Sequence, residues 1–233
     1  MTEDVPPTTL ARAESSIGEV ALRRRGRHTE LIVGGAFVMD TVDVSTEVEL
    51  AAVALERHPA PRRVLVGGLG LGYTAATVAT DDRVRHVAVV EMAEPLVDWA
   101  RAGLLPTDLD DPRIHLRAAD VGEVLVATPG KWDVILLDVD NGPGFLVREE
   151  NADLYAPAGL RRAVAALAPG GVLAIWSSHV APELLETLRA VGVGTVEEVL
   201  RCVQREGRDL EYAIYLLAGV GSASGRGERS TTQ

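Results

Sequence analysis

A strand-like run, Val64 Leu65 Val66, opens into Gly67 Gly68 Leu69 Gly70 Leu71 Gly72 Tyr73 Thr74, and a second β-prone run, His86 to Val90, ends at Glu91. Glycine lets a chain leave a strand sharply and bring its backbone N–H groups close to a ligand. A carboxylate about 20 residues further on, at the end of the neighbouring strand, is suited to grip the hydroxyls of a ribose. This spacing requires a parallel strand–helix–strand unit and points to an adenosine-containing cofactor. The same alternation continues along the chain. Helix is expected from about Tyr73 to Thr80, Glu94 to Ala102, Gly122 to Ala127, Pro157 to Leu167 and Pro182 to Val191. Strand is expected at Ile114 to Arg117, Val134 to Leu137 and Val172 to Trp176, the last after the turn Pro169 Gly170 Gly171.

The pattern breaks at the end. Thr195 to Gln204 and Leu210 to Leu217 are two β-prone runs whose five-residue link makes them antiparallel. The expected fold is therefore α/β: a doubly wound, mostly parallel seven-stranded sheet of the Rossmann-like methyltransferase type, closed by a C-terminal antiparallel hairpin. Before it, Glu19 to Arg24 and Leu31 to Met39 read as a small N-terminal β-hairpin. Thr46 with Glu49 reads as a capping box for a helix with the stripe Val48, Ala51, Ala52 and Leu55. The organisation expected is a loose, polar residues 1–16, a hairpin and helix over 17–60, a cofactor-binding domain over 61–220 and a loose Gly/Ser/Arg/Thr tail over 221–233.

Composition narrows the partners. A formal charge of −11 disfavours nucleic acid, whose phosphates need a basic surface. The one basic cluster, Arg23 Arg24 Arg25 with Arg27 and His28, is expected to decorate a solvated turn. No apolar run reaches membrane length and the first residues lack a secretory pattern, so the expectation is a cytoplasmic protein with no membrane partner. The single cysteine, Cys202, is expected as a buried small side chain, and the scattered His28, His58, His86, His115 and His179 have no metal spacing, so no metal is expected.

Four successive strand ends carry glycine or acid: the glycine loop, Glu91, Asp120 and Asp138. Asp120 is suited either to cap the following helix or to touch an adenine. Asp138, directly after the apolar run Val134 to Leu137, needs a polar partner or a ligand. Gly70, Gly72 and Ala75 also satisfy the dinucleotide pattern, so a nicotinamide oxidoreductase stays open, as does a non-catalytic domain that keeps the cofactor fold.

Together with Gly34 Gly35 Ala36 Phe37 Val38 Met39 Asp40, Asp138 Val139 Asp140 and the tract Leu154 Tyr155 through Leu173, these residues resemble the spermidine synthase family of class I S-adenosylmethionine-dependent transferases. The resemblance covers most of the chain. It implies cofactor contacts from Gly67, Gly68, Gly70, Gly72, Glu91 and Asp120, with Asp138 near the transferring centre. Asp138 and Asp140 then orient an amine or accept its proton, and Asp140 and Tyr155 help to hold a small-molecule acceptor. Two departures stand out. Aminopropyltransferases usually carry an aspartate inside the glycine loop, where the corresponding stretch here reads Gly68 Leu69 Gly70 Leu71 Gly72, and they commonly have two aspartates three positions apart after the fourth strand, where position 141 is Asn141 and the second acid is Asp140. The leucine-bearing loop favours intact S-adenosylmethionine and methyl transfer over the decarboxylated donor and aminopropyl transfer, and the change at position 141 weighs against a polyamine acceptor. The N-terminal hairpin either caps the site or pairs with a second copy in a homodimer.

Overall fold

The computed structural model describes residues 6–139, 142–143, 151–205 and 207–221. A seven-stranded sheet forms the centre. Its strands are β5 (Arg63–Gly67), β6 (His86–Glu91), β7 (Ile114–Ala118), β8 (Trp132–Leu137), β9 (Leu167–Ser177), β10 (Thr195–Arg205) and β11 (Arg208–Val220), in the spatial order β10-β11-β9-β8-β5-β6-β7. β11 runs antiparallel to both of its neighbours, and the pairs β5–β6, β5–β8, β6–β7 and β8–β9 are parallel. The expected doubly wound sheet with a terminal hairpin is the fold observed.

Period-two alternation explains how one sheet serves two cores. Val64, Val66, Val134, Leu136, Val172 and Ala174 bury on one face, which is also covered by α1 (Ser45–Glu56), α2 (Tyr73–Ala79) and α3 (Glu94–Arg101). Leu65, Ile135, Leu137, Leu173 and Ile175 bury on the other, under α4 (Val121–Ala127), α5 (Ala152–Tyr155), α6 (Pro157–Ala166) and α7 (Pro182–Val191). Strands covered on both faces read as continuous apolar runs, which is why these were recognisable in the sequence.

The N-terminal region is larger than expected. It is a four-stranded antiparallel sheet of β1 (Thr8–Ser15), β2 (Gly18–Arg25), β3 (His28–Val33) and β4 (Ala36–Asp40) in chain order. Residues 8–15, expected to be loose, pair with β2 through a backbone ladder that needs no apolar signature. The single strand expected over Leu31 to Met39 is two strands, because Gly34 and Gly35 both adopt positive φ and reverse the chain. Arg23 and Arg25 do not simply solvate a turn. They hold the Glu30 carboxylate at 2.9 and 2.7 Å, and this pairing keeps the Glu30 acid below its usual range against the opposing effect of burial.

Two other expectations fail locally. The capping box on α1 does not form: Val44 is the N-cap without a side-chain bond, Thr46 donates to Glu47 at 2.8 Å, and Glu49 is drawn into an ion pair with Arg201 of β10. The buried face of α1 runs through Thr46, Glu47, Leu50, Ala51 and Ala54, leaving Val48 and Ala52 outward. Cys202 is exposed rather than buried, because β10 is an edge strand and this part of it has no covering layer.

The chain leaves β5 for β6 and β7 on one side and returns to β8 on the other. Strand direction of travel therefore switches at β5, and the crevice beyond the carboxyl ends of β5, β6 and β8 is where such sheets bind ligands.

Candidate functional site

That crevice is a cleft of about 920 Å³, open to solvent, between the main sheet and the N-terminal sheet. Its floor begins at the glycine loop. Gly68 has φ +94, and a Cβ there would overlap the Asp138 carbonyl oxygen. Gly70 has φ +52, and its absent side chain admits Met39 of β4, whose Sδ would lie 2.8 Å from a Cβ and accepts a contact from the Leu71 N–H at 3.2 Å. The loop thus stays bare towards the cleft while anchoring the N-terminal sheet above it. Gly67 and Gly72 do not line the cleft. Gly67 packs against Val121 and Leu137, and Gly72 N-caps α2 beside Thr107.

Glu91 lines the cleft and is held by the backbone on both oxygens: Leu69 N–H donates to Oε2 at 2.9 Å and Ala93 N–H to Oε1 at 2.8 Å. A carboxylate has about four acceptor sites, so this fixation is compatible with accepting a vicinal diol as well. Asp120 answers to both of its readings. Its Oδ1 accepts the Gly122 N–H at 2.6 Å as the N-cap of α4, and the residue also lines the cleft, where Val90, Met92, Leu96 and Val121 supply an apolar slot suited to a purine.

At the other end of the cleft stand Asp138 and Glu47. Asp138 continues β8, and the Thr74 hydroxyl of α2 donates to its Oδ2 at 2.6 Å. Withdrawal from water pushes the Asp138 acid up to about 6, the Thr74 bond opposes this, and the Glu91 charge adds to it. Glu47 is only 8% exposed, and burial pushes its acid up to about 7, with the Asp138 charge adding to the rise. Two desolvated carboxylates that resist ionisation face one cleft, and a bound cation is the partner that relieves both.

The remaining expected residues fall elsewhere. Tyr155 packs in the apolar core under the opposite face of the sheet, and its hydroxyl donates to the Val139 carbonyl at 2.7 Å, so it braces the chain after β8 rather than forming the cleft wall. Asp140 and Asn141 lie outside the described residues. His179 folds against its own loop, where Ser177 Oγ donates to its carbonyl at 2.7 Å. Glu47 was missed from sequence. The signal was an acid on the i, i+3, i+4, i+7 face of Glu47, Leu50, Ala51 and Ala54. Among the described residues no group of three or more His, Cys, Asp or Glu is placed to hold a metal, and no helix is long and apolar enough to cross a membrane.

The spermine/spermidine synthase domain model matches residues 44–190, from just before α1 to the end of α7. Polyamine aminopropyltransferase 2 of Pseudomonas aeruginosa is 33% identical over 153 residues, which is 62% of this chain and 42% of that protein. Putrescine N-methyltransferase 4 of Nicotiana tabacum is 28% identical over 149 residues, 59% of this chain and 37% of that protein. The chain therefore spans about two fifths of the length of these curated relatives. The crystal structure of spermidine synthase from Thermotoga maritima superimposes with a TM-score of 0.75 at 18% identity, covering 91% of this chain and 73% of that one, a likeness of fold.

Proposed function

The chain belongs to the spermine/spermidine synthase domain family, and on that premise we propose that it transfers an aminopropyl group from decarboxylated S-adenosylmethionine to a small amine acceptor. The observation that carries this reading is the pair Glu47 and Asp138. Glu47, buried on α1, and Asp138, fixed by the Thr74 hydroxyl at 2.6 Å, line one cleft; an ammonium bound there stabilises their ionised forms, whereas the carboxylate of the intact donor would set a third acid beside them. The negative charge missing from the glycine loop is in this reading supplied by Glu47 of α1 and by Asp138, which follows β8. This reverses the preference for methyl transfer drawn from the acid-free glycine loop, and the aminopropyltransferase relative from Pseudomonas aeruginosa supports the same direction.

In this reading Glu91 holds the ribose, Asp120 and the apolar slot around Met92 hold the adenine, and bare backbone at Gly68 and Gly70 admits the donor chain. When bound, the donor supplies an electrophilic methylene: its C–S bond breaks as the acceptor nitrogen forms the new C–N bond, and sulfur leaves with the electron pair as the thioether of methylthioadenosine. The protein's task is positioning, because holding the nitrogen in line with that bond removes much of the barrier. Asp138, with its acid near neutrality and its orientation fixed by Thr74, is suited to take the proton that the alkylated nitrogen sheds. Asp140 is assigned acceptor orientation from the family pattern, and Tyr155 is assigned the bracing of Val139.

A second reading, methyl transfer from intact S-adenosylmethionine, keeps two observations in its favour: the glycine loop carries no acid, and a Nicotiana tabacum putrescine N-methyltransferase is among the relatives. A nicotinamide reading draws no support from this family. Incubating the protein with each donor and a panel of amines, with mass detection of products, separates the first two. Methylthioadenosine together with an aminopropylated amine is expected. A methylated amine formed from the intact donor would establish the second reading instead.

A further inference from the structure

Thr74 stands in the first turn of α2, just after Gly72, which caps the helix in a left-handed conformation. A helical threonine hydroxyl commonly turns back onto the carbonyl four residues before it. Thr77 of the same helix does so, donating to the Tyr73 carbonyl at 2.8 Å. For Thr74 that place falls at Gly70, in the loop ahead of the helix, and the hydroxyl is used elsewhere. It donates to Asp138 Oδ2 at 2.6 Å, and its next oxygen, the Glu47 carbonyl, is 3.5 Å away. The side chain is 2% exposed, so α1, α2 and the chain leaving β8 meet on one buried hydroxyl. With a single proton to give, that hydroxyl serves the nearer, ionisable oxygen.

Asp138 depends on this one donor. Among the described residues no other group donates to its carboxylate, and Oδ1 accepts no hydrogen bond although the residue lines the cleft. The other acids of the cleft are held differently. Glu91 accepts two backbone N–H groups and Asp120 one, while Glu47 takes the hydroxyl of Thr46, its own neighbour in the chain, at 2.8 Å. The charged groups facing Asp138 are the carboxylates Glu91 of β6 and Glu47 of α1, and the described lining of the cleft contains no Lys, Arg or His. Both carboxylates disfavour its ionised form, so the Thr74 hydroxyl is the interaction that supports it.

We infer, resting on the transferase reading above, that Thr74 is the positioning residue of the transfer: by holding Oδ2 it presents Oδ1 to the acceptor nitrogen and keeps Asp138 available as the base. The ionised carboxylate steadies the positive charge that grows on that nitrogen as the new C–N bond forms, so its ionisation state enters the rate. An N–H bond of the resulting ammonium then breaks, its electron pair stays on nitrogen and the proton bonds to Oδ1. The Thr74 hydroxyl keeps its own proton throughout and never touches substrate. Such a duty leaves a distinct signature. Without the hydroxyl, Asp138 binds a proton more tightly and is lost as a base at the acid end of the pH range, whereas donor and acceptor contacts stay as they were.

Turnover of the full chain, measured from about pH 5 to about pH 9 with decarboxylated S-adenosylmethionine and the panel amine that reacts fastest, tests this, with release of methylthioadenosine as the readout. Thr74→Val keeps the shape and removes the donor. The acid limb of its kcat profile should move up by about one pH unit, so that its loss of kcat is about tenfold larger below about pH 6 than near pH 9, with KM changed less than about twofold. Thr74→Ser, which restores the donor, should return the position of that limb. If Thr74→Val fails to fold, Thr74→Ala is read in its place. An equal loss at every pH, an unmoved acid limb, a serine variant shifted as far as the valine, or a rise in KM with kcat intact would overturn the inference and leave the transferase reading standing. No turnover by the parent chain with any amine of the panel would overturn that reading, and the inference with it.

Discussion

Glu47 occupies a helix face that otherwise buries Leu50, Ala51 and Ala54, so its ionisation opposes folding. Its acid lies at about 7 in the folded chain against an ordinary value of 4.5, which means the folded state binds the proton more tightly than the unfolded one. The resulting penalty is absent below about pH 4, grows as pH rises through the interval and is complete above 7. Asp138 contributes in the same sense between its ordinary 3.8 and about 6. Glu47→Gln should therefore stabilise the ligand-free protein at pH 8 by on the order of 1–3 kcal/mol and have little effect near pH 4, as read by denaturant unfolding at both values. A variant less stable than the parent at pH 8 would contradict this account. The same substitution should weaken a cationic donor about tenfold. Asp138→Ala should abolish turnover, and full activity in that variant would remove Asp138 from the chemistry. Gly68→Ala combines a strained φ with overlap on the Asp138 carbonyl, and loss of the folded loop is expected, visible as a lowered unfolding midpoint.

At the scale of elements, α4 has seven residues and a single side-chain cap, so Asp120→Ala should cost about 1 kcal/mol of stability. Asp120→Asn keeps an N-capping oxygen and should preserve stability while weakening nucleoside binding. Unchanged nucleoside affinity in Asp120→Asn would reduce the residue to a cap. The parallel strands were legible because residues such as Val64, Leu65 and Val66 must satisfy two cores at once, and glycine marks where β5 must end. β1 was not legible. Between Thr8 and Ser15 its one large apolar side chain, Leu10, is exposed, and the strand is held by its ladder to β2. In α1 the apolar Val48 and Ala52 face outward while the acid Glu47 faces in, an inversion of the amphipathic pattern that hid an acid lining the cleft. The apolar run from Leu31 to Met39 likewise masked the reversal at Gly34 and Gly35.

Across the whole molecule the cleft exists because two sheets meet at the switch point of the larger one. Met39 of β4 rests on Gly70, and Ile17, Leu31, Val33 and Val38 of the N-terminal region face the same cleft that Gly68, Glu91 and Asp138 close from below. Neither part makes the cleft alone, and Glu47, the acid to which we assign donor preference, comes from the helix joining them. The central claim is that this joint selects a donor with an amine and no carboxylate. Calorimetric titration of the purified chain with decarboxylated and intact S-adenosylmethionine in one buffer tests it most directly. Tighter binding of the decarboxylated donor by about tenfold or more is predicted. Equal or tighter binding of the intact donor, or binding of neither, would contradict it.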